Sequence, residues 1–455
     1  HFVSGQAAAQ LVPAPQSVLE QTGASLPQFW GAFQNQSLPA HYTLATNQLT
    51  TSELQSALRA LPSLFILTDP TNLFSPATGI YLHPTERGQK WERPVTTLLL
   101  DARGQTNFQA RCGLRLHGGM SRRPEESPKH SFRLSFRKIY GTPKLNAPLF
   151  GTDGPQQFDA LILRAGGNDS WLTSDGPRRA HATYLRDEWM CRSMEALEHR
   201  SARGRYVHLF LNSLYWGIYN LCERPGAELL DTNDSECDIL KGDETESGDR
   251  VAWEELFALA NSGLDDAKRY EEVSRRLDVP QFMDFMVLNF YAGNSDWDRS
   301  ANWYAIRPRT ATGQFHFFVW DAEQILDQVQ PGIPDDPDDE SPLALFHKLA
   351  RNKTFRAAFI TRAVRVLSES CALSPNESAK RFRDLADALA PAMSLEAARW
   401  GSYRRDVHQF KTGPYEVYSV RTHWQPEVEK ISSEFFSQRR DALLQNLHAA
   451  GFEQE

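Results

Sequence analysis

The chain has 455 residues, 41% hydrophobic and 23% charged, which supports large buried cores and excludes an intrinsically disordered protein. Lysine and arginine number 49 against 57 aspartates and glutamates, and the resulting net charge of −8, without any basic block, excludes a typical nucleic-acid-binding surface. No apolar run approaches the roughly 20 residues that a membrane-spanning helix needs, and the length suits two or three domains or one two-lobed unit.

Residues 1–60 are rich in Gln, Ala, Ser and Pro, and predict an N-terminal extension that packs on a later core. Within it, only residues 51–61 show helix signals. The pattern changes at residues 65–68, which predict the first buried strand.

A series of strands follows. In chain order they are predicted at residues 95–100, 109–117, 131–137, 158–164, 206–212 and 217–223. The clearest is 131–137, in which Phe132, Leu134 and Phe136 alternate with polar side chains. One helix, at residues 183–198, interrupts the series.

The second half of the chain is predicted to be helical, at residues 253–260, 268–277, 280–289, 343–350, 353–368, 377–390, 395–403 and 428–448. A β-hairpin interrupts these helices, with a strand at 302–307, a turn at 310–313 and a return strand at 314–320. The predicted fold class is therefore α+β with two lobes. Its parts are the extension 1–60, a strand-rich N-lobe at 61–224, and a helical C-lobe at 225–455 that contains the hairpin region 294–327.

Acidic and amide side chains flank this hairpin. Asp296 and Asp298 precede it, and either suits a general base that accepts the proton of an attacking hydroxyl. Asn302 and Asp321, at its two ends, offer the oxygen ligands that Mg²⁺ prefers. Protein kinases space a catalytic Asp, a metal-binding Asn and a second metal-binding Asp around a short hairpin in this way. Acids that cap turns and helices give the same pattern, so the residues alone leave both interpretations open.

Basic side chains on two predicted strands offer contacts for the phosphates of a nucleotide. Their polar faces carry Arg115, His117, Lys129, Arg133 and Arg137. Between these strands Gly118 and Gly119 predict a tight turn whose N–H groups a phosphate could approach closely. The alternative is a solvated sheet face with an ordinary turn, since the turn lacks G-x-G-x-x-G and the chain has no Walker A sequence.

Other candidate sites carry less specific signals. Asp187 and Glu188 suit either an ion pair that orients a lysine or plain surface exposure. The acidic loop 335–340 suits either Ca²⁺ or solvation, and it lacks the EF-hand pattern. The five cysteines form no CxxC pair, so we expect no structural zinc and mostly buried thiols. A hydrolase based on paired carboxylates stays open as an alternative, from Asp296, Asp298, Asp321 and Glu323.

Several segments between about residues 62 and 330, taken in order, resemble the CotH kinase family of spore-coat-type atypical protein kinases, in its secreted bacterial variant. The matching segments are 65–74 (FILTDPTNLF), 113–122 (GLRLHGGMSR), 129–137 (KHSFRLSFR), 163–171 (LRAGGNDSW), 184–189 (YLRDEW), 206–212 (YVHLFLN), 215–224 (YWGIYNLCER), 289–297 (NFYAGNSDW) and 320–323 (WDAE). The resemblance implies a protein-kinase-like fold that binds ATP and Mg²⁺ or Mn²⁺ between its lobes.

The resemblance also assigns roles to single residues. Lys129 is similar to the phosphate-contacting lysine. Arg115 and Arg133 are further expected nucleotide contacts from the pattern of the strands, not from the resemblance. Glu223 stands where the hinge approaches adenine. Asp296 is similar to the catalytic Asp, and the metal ligands are Asn302 and Asp321.

The spacing departs from that of ordinary kinases, in which the Asn follows the catalytic Asp by five positions. Here Asn302 lies six residues after Asp296 and four after Asp298, so both acids stay candidates for the base. The expected activity is phosphorylation of Ser or Thr on extracellular or surface proteins, by a protein that is itself secreted or in the bacterial cell envelope. The alternative is a catalytically silent kinase-like binding or structural module at the cell surface.

Overall fold

A computed structural model describes residues 26–33, 36–46, 49–151, 154–299, 302–337, 339–409 and 411–453. The strands are β1 Phe29–Phe33, β2 Gln36–Pro39, β3 Ser63–Leu67, β4 Arg93–Leu100, β5 Thr106–His117, β6 Ser131–Ser135, β7 Leu145–Asn146, β8 Gln157–Phe158, β9 Ala160–Arg164, β10 Gly204–Leu211, β11 Leu214–Cys222, β12 Cys237–Lys241, β13 Glu244–Ser247, β14 Trp303–Pro308 and β15 His316–Val319.

The α-helices are α1 Thr51–Ala60, α2 Pro70–Phe74, α3 Gly176–Ala180, α4 Arg186–Ala196, α5 Val251–Asn261, α6 Ala267–Ser274, α7 Val279–Ala292, α8 Pro342–Leu349, α9 Lys353–Leu367, α10 Pro375–Leu389, α11 Met393–Trp400, α12 Tyr403–Asp406, α13 Gln425–Lys430 and α14 Phe436–Ala449. None of the helices in the described ranges is long and apolar enough to cross a membrane. This mixture of helices and strands confirms the predicted α+β class.

The backbone divides into two compact units whose limits differ from the predicted lobes. Of the described residues, unit 1 comprises those within 1–184, 204–224 and 386–427, and unit 2 comprises those within 185–203, 225–385 and 428–455. Helix α4 belongs to unit 2 and α11 belongs to unit 1. The division into an extension, an N-lobe and a C-lobe stays a prediction.

Unit 1 is built on a closed barrel with the strand order β10-β11-β9-β6-β5-β4-β3. Successive side chains of each strand alternate between the inside and the outside of the barrel. Phe132 and Leu134 of β6 point inward and are fully buried in the core. The outer face of β5 and β6 carries Arg115 directly opposite Arg133. The antiparallel register therefore places these two arginines, predicted on the polar faces of successive strands, beside each other.

Aromatic side chains from distant parts of the sequence complete the core of unit 1. Trp30 of the N-terminal extension lies 5.4 Å from Trp216 of β11, and Trp216 lies 6.0 Å from Trp400 of α11, measured between ring centroids. Trp30 is only 2% exposed, so this part of the extension belongs to the hydrophobic core. The capping box between Thr50 and Glu53 starts α1 where the sequence predicts a helix.

Unit 2 is centred on α7, in which every residue except Pro280 is buried. The helix packs beside a four-stranded sheet of order β13-β12-β14-β15, in which β14 and β15 form the predicted hairpin. Gln281 of α7 hydrogen-bonds the main chain of Phe317, so the helix covers the edge strand β15. Strands β12 and β13 were not predicted, because their short, partly polar runs lack a clear alternation.

Candidate active site

The predicted catalytic loop follows α7 in unit 2. Gly293, in the left-handed conformation with φ 61°, ends the helix and turns the chain into the loop. Within the loop, Asn302 Nδ2 donates to the main-chain oxygen of Asp296 at 2.6 Å, and Asn302 N donates to Trp297 O at 2.9 Å. Asn302, the predicted metal ligand, is therefore hydrogen-bonded to the main chain of Asp296, the predicted base.

The hairpin register places Asn302 and Asp321 at the same end of the sheet. Trp303 of β14 pairs with Val319 of β15 in an antiparallel ladder. Asn302 directly precedes this pair on one strand, and Asp321 follows it by two residues on the other. Asp321 adopts φ 57°, which is uncommon for a residue other than glycine and which concentrates at functional sites.

The carboxylate of Asp296 has a partner beyond the hairpin. Gln324 Nε2 donates to Asp296 Oδ2 at 2.6 Å, and Ser295 N donates to Gln324 O at 3.2 Å. Asp187 of α4 accepts the N–H of Ala322 at 2.8 Å, so it supports the turn after Asp321. These contacts connect the segment 321–324 to the catalytic loop, and Asp296 remains partly exposed.

Asp298 has a different environment from Asp296. Its side chain is buried, and Oδ1 accepts the N–H of Leu343 in the first turn of α8 at 2.9 Å. Burial raises the pKa of the Asp298 carboxyl to about 6, although the hydrogen bond from Leu343 opposes the shift. Asp298 therefore contributes to a helix cap, the structural alternative weighed for the acids in this loop.

The donor set at the end of the hairpin fits Mg²⁺ or Mn²⁺. Asp321 supplies a carboxylate, and the Asn302 amide uses its nitrogen for Asp296, which leaves its oxygen for a cation. Mg²⁺ is commonly held by one or two protein ligands together with phosphate oxygens and water. Within the described ranges, no three His, Cys, Asp or Glu side chains form a metal-binding group. Asn302 and Asp321 therefore fit a metal ion that nucleotide phosphates also coordinate.

In unit 1, Lys129 forms a buried ion pair with Glu396 of α11. Lys129 Nζ donates to Glu396 Oε1 and to Ile218 O, each at 2.6 Å, and Ile218 N donates to Glu396 Oε2 at 2.7 Å. Strand β9 ends at Arg164, opposite Asn220, so the main chain of Ile218 lies beyond the ladder. Ile218 pairs with His208 of β10 on one side, and the ion pair satisfies its backbone on the other side, where β9 has ended.

The surroundings of Lys129 are apolar and aromatic. Its side chain is 1% exposed, and Nζ lies 4.8 Å from the centroid of the Tyr219 ring and 5.5 Å from that of Tyr184. Burial lowers the pKa of the Lys129 ammonium, and the Glu396 carboxylate opposes that shift. Sequence reasoning missed Glu396, because nothing in the sequence relates it to a lysine 267 positions away.

The other predicted nucleotide contacts also lie in unit 1. Arg115 is half-buried, and its guanidinium is 3.8 Å from the Glu92 carboxylate. Glu92 also accepts hydrogen bonds from Arg137 and Tyr140, so it is the centre of a polar network on the outer barrel face. Glu223 directly follows β11 and is 7% exposed. The roles of Arg115, Lys129, Arg133 and Glu223 toward a nucleotide stay predictions.

The family model described as "CotH kinase protein" matches residues 114–443, which is well over half of the 455 residues. The chain belongs to the CotH kinase family. The matched range contains Asp296, Asn302 and Asp321 as well as Lys129 and Glu396. No curated protein sequence matches the chain.

Among solved structures, this CotH family member is similar to the proinflammatory kinase CtkA of Helicobacter pylori, with 11% identity and a TM-score of 0.26. The similarity covers 70% of this chain and 93% of that one. A similarity this low supports no argument about the site, and the family assignment rests on the family model.

Proposed function

We propose that this CotH family member is a protein kinase that transfers the γ-phosphate of ATP to Ser or Thr hydroxyls. The observation that supports it most directly is the arrangement in unit 2, where Asn302 is bonded to Asp296 and shares one end of the hairpin with Asp321. This is the set of base, amide and second acid that phosphoryl transfer by kinases requires.

Asp296 is the proposed general base. It is the more exposed of the two candidate acids, and Gln324 fixes its carboxylate through Oδ2. The substrate hydroxyl oxygen forms a bond to the γ-phosphorus while the bond from that phosphorus to the β,γ-bridging oxygen breaks. The hydroxyl proton passes to the Asp296 carboxylate, and ADP is the leaving group. Asp298 is not assigned this role, because its carboxylate is buried against α8.

Asn302 and Asp321 are the proposed ligands of Mg²⁺ or Mn²⁺. A bound divalent cation neutralises the charge of the β- and γ-phosphates. The protein positions the two ligands through the hairpin register and the hydrogen bond to Asp296. The left-handed conformation of Asp321 fixes the direction in which its backbone leaves β15.

A catalytically silent kinase-like module is the second candidate. The enclosure of Lys129 in an ion pair inside unit 1 favours it, because a lysine that contacts phosphate must present its ammonium to the nucleotide. Thermal shift with ATP, with and without Mg²⁺, separates the two candidates. The kinase proposal predicts a rise in Tm that requires Mg²⁺ and is lost in Asn302→Ala. A silent module predicts no such rise.

We further propose that the substrates are extracellular or surface proteins, and that the kinase is secreted or held in a bacterial cell envelope. The support is the resemblance to secreted bacterial family members. Fractionation of the producing cells tests this directly, because the proposal predicts the protein in the medium or the envelope fraction. Recovery in the cytoplasmic fraction alone would contradict it.

A further inference from the structure

A cavity of about 270 Å³ opens in unit 2 where the segment after α4, residues 229–231, the start of α7 and strand β15 meet. Its floor is apolar and consists of Leu229, Leu230 and Phe318. Its walls and rim are polar and carry Glu198, His199, Arg200, Asp231, Asp278, Gln281 and His316. The proposed phosphoryl-transfer residues do not line it.

The size and charge of the cavity indicate the kind of ligand. Pockets for drug-sized molecules enclose about 300–1,000 Å³, so this smaller cavity suits a single side chain. Glu198, Asp231 and Asp278 contribute three carboxylates against the single guanidinium of Arg200, a balance that favours a cation. An apolar floor below an acidic rim suits the methylene stem and charged end of a lysine or arginine.

The two histidines of the cavity have acidic partners behind them. His199 Nε2 lies 2.6 Å from Oδ2 of Asp284, which is buried and also bound by Arg362, and His316 Nδ1 lies 3.3 Å from Asp278 Oδ2. In each ring the nitrogen that faces the carboxylate carries the proton in the neutral form. The other nitrogen is then an acceptor, which again suits a ligand that donates hydrogen bonds.

Arg200, a cation of the protein itself, already binds one carboxylate of this rim. Arg200 forms a two-pronged ion pair with Asp231, with distances of 2.5 and 2.6 Å, although its side chain is 55% exposed. An incoming basic side chain competes with Arg200 for Asp231. Removal of Arg200 should therefore strengthen binding, whereas a purely structural role of this ion pair gives no such gain.

The cavity and the proposed catalytic loop lie at opposite ends of α7. Asp278 and Gln281 stand at the start of α7, and the catalytic loop follows its end. Fourteen helical residues span about 20 Å at roughly 1.5 Å per residue. We infer that this cavity, the basic-residue pocket, binds a lysine or arginine of the protein substrate, at least about six extended residues from the phosphorylated hydroxyl. The inference rests on the proposed kinase function.

The test uses two fluorescein-labelled peptides of Gly and Ala that carry one Ser and, about eight positions away, either Lys or the uncharged norleucine. Phosphate transfer gives kcat/KM for each peptide, and fluorescence anisotropy gives Kd without any reaction. We expect the wild-type protein to prefer the Lys peptide. Glu198→Gln and Asp231→Asn should each reduce the preference about threefold, the range for partly exposed ion pairs, and Arg200→Ala should increase it. Glu272→Gln, an exposed charge change on α6 outside the pocket, should not alter it.

If the wild type, Glu198→Gln and Arg200→Ala all prefer the Lys peptide over the norleucine peptide to the same extent, the basic-residue pocket is overturned. Failure of the proposed kinase function is distinguishable from this result. If the wild type transfers no phosphate to either peptide, the anisotropy still reports binding. Tighter binding of the Lys peptide than of the norleucine peptide, weakened by Glu198→Gln, would then support the pocket without the kinase, and equal binding would reject the pocket.

Discussion

The side-chain N–H of Asn302 donates to the main-chain oxygen of Asp296 across 2.6 Å. The hydrogen bond closes a loop in which the amide follows the acid by six positions, one more than in ordinary kinases. This hydrogen bond fixes the Asn302 side chain relative to Asp296. Asp298, four positions before the amide, faces α8 instead.

The two acids of the loop should respond differently to removal of charge. Asp296→Asn keeps the side-chain shape but cannot accept the proton, so phosphate transfer should fall by about 10²- to 10⁴-fold, the usual contribution of a general base. Asp298→Asn should retain most of the activity, because the amide oxygen can still accept the N–H of Leu343. Steady-state transfer to a generic protein substrate measures both. A greater loss in Asp298→Asn would reverse the assignment of the base.

Asp298 should also make stability depend on pH. Its folded pKa of about 6 lies above the ordinary 3.8, so its contribution to folding is fully present below about pH 4 and is lost as the pH rises through about 6. Two pKa units correspond to about 3 kcal/mol as an order of magnitude. Asp298→Asn should therefore raise the free energy of unfolding at pH 7.5 and change it little at pH 4. Denaturant titration at both pH values measures this, and an equal effect at the two would contradict it.

The Lys129–Glu396 ion pair should be essential for the stability of unit 1. Glu396→Gln leaves the Lys129 charge buried beside an uncharged group, a change that typically costs about 3–5 kcal/mol. Lys129→Met in the same protein should recover part of the loss, because the double variant buries no charge. The exposed pair Lys380–Asp384 is the control, and Asp384→Asn should leave Tm nearly unchanged. Additive losses in the buried pair would show that the two side chains are not coupled.

Gly217 should not tolerate a side chain. Its φ of 112° disfavours other residues, and an added Cβ would lie 2.6 Å from Glu396 Oε2 and 3.1 Å from Lys129 Cε. Gly217→Ala should therefore destabilise the protein by more than the roughly 1–3 kcal/mol expected from backbone conformation alone. Gly88, with φ 83° and nothing within 4 Å of the added Cβ, isolates the backbone effect. Equal losses of Tm in Gly217→Ala and Gly88→Ala would show that contact of the added Cβ with Glu396 and Lys129 does not destabilise the protein.

Sequence reasoning succeeded where the signal is local. Alternation predicted β6, and the turn chemistry of residues 310–313 predicted the hairpin that places Asn302 and Asp321 together. It failed where distant segments meet, as with Glu396 beside Lys129 and Gln324 on Asp296, since no local pattern marks such partners. The exposure of Lys129 could not be predicted either, because burial of a charge depends on a partner from another part of the chain.

The measurement that tests the kinase proposal most directly is transfer of the γ-phosphate of labelled ATP to a generic protein substrate, in the presence of Mg²⁺, by the wild type and by Asp321→Ala. Asp321→Asn at the same position is the matched variant, which keeps the size of the side chain and one oxygen ligand. The account predicts incorporation by the wild type, strong reduction in Asp321→Asn and loss in Asp321→Ala, with folding confirmed by circular dichroism. Equal incorporation by the wild type and Asp321→Ala would contradict it.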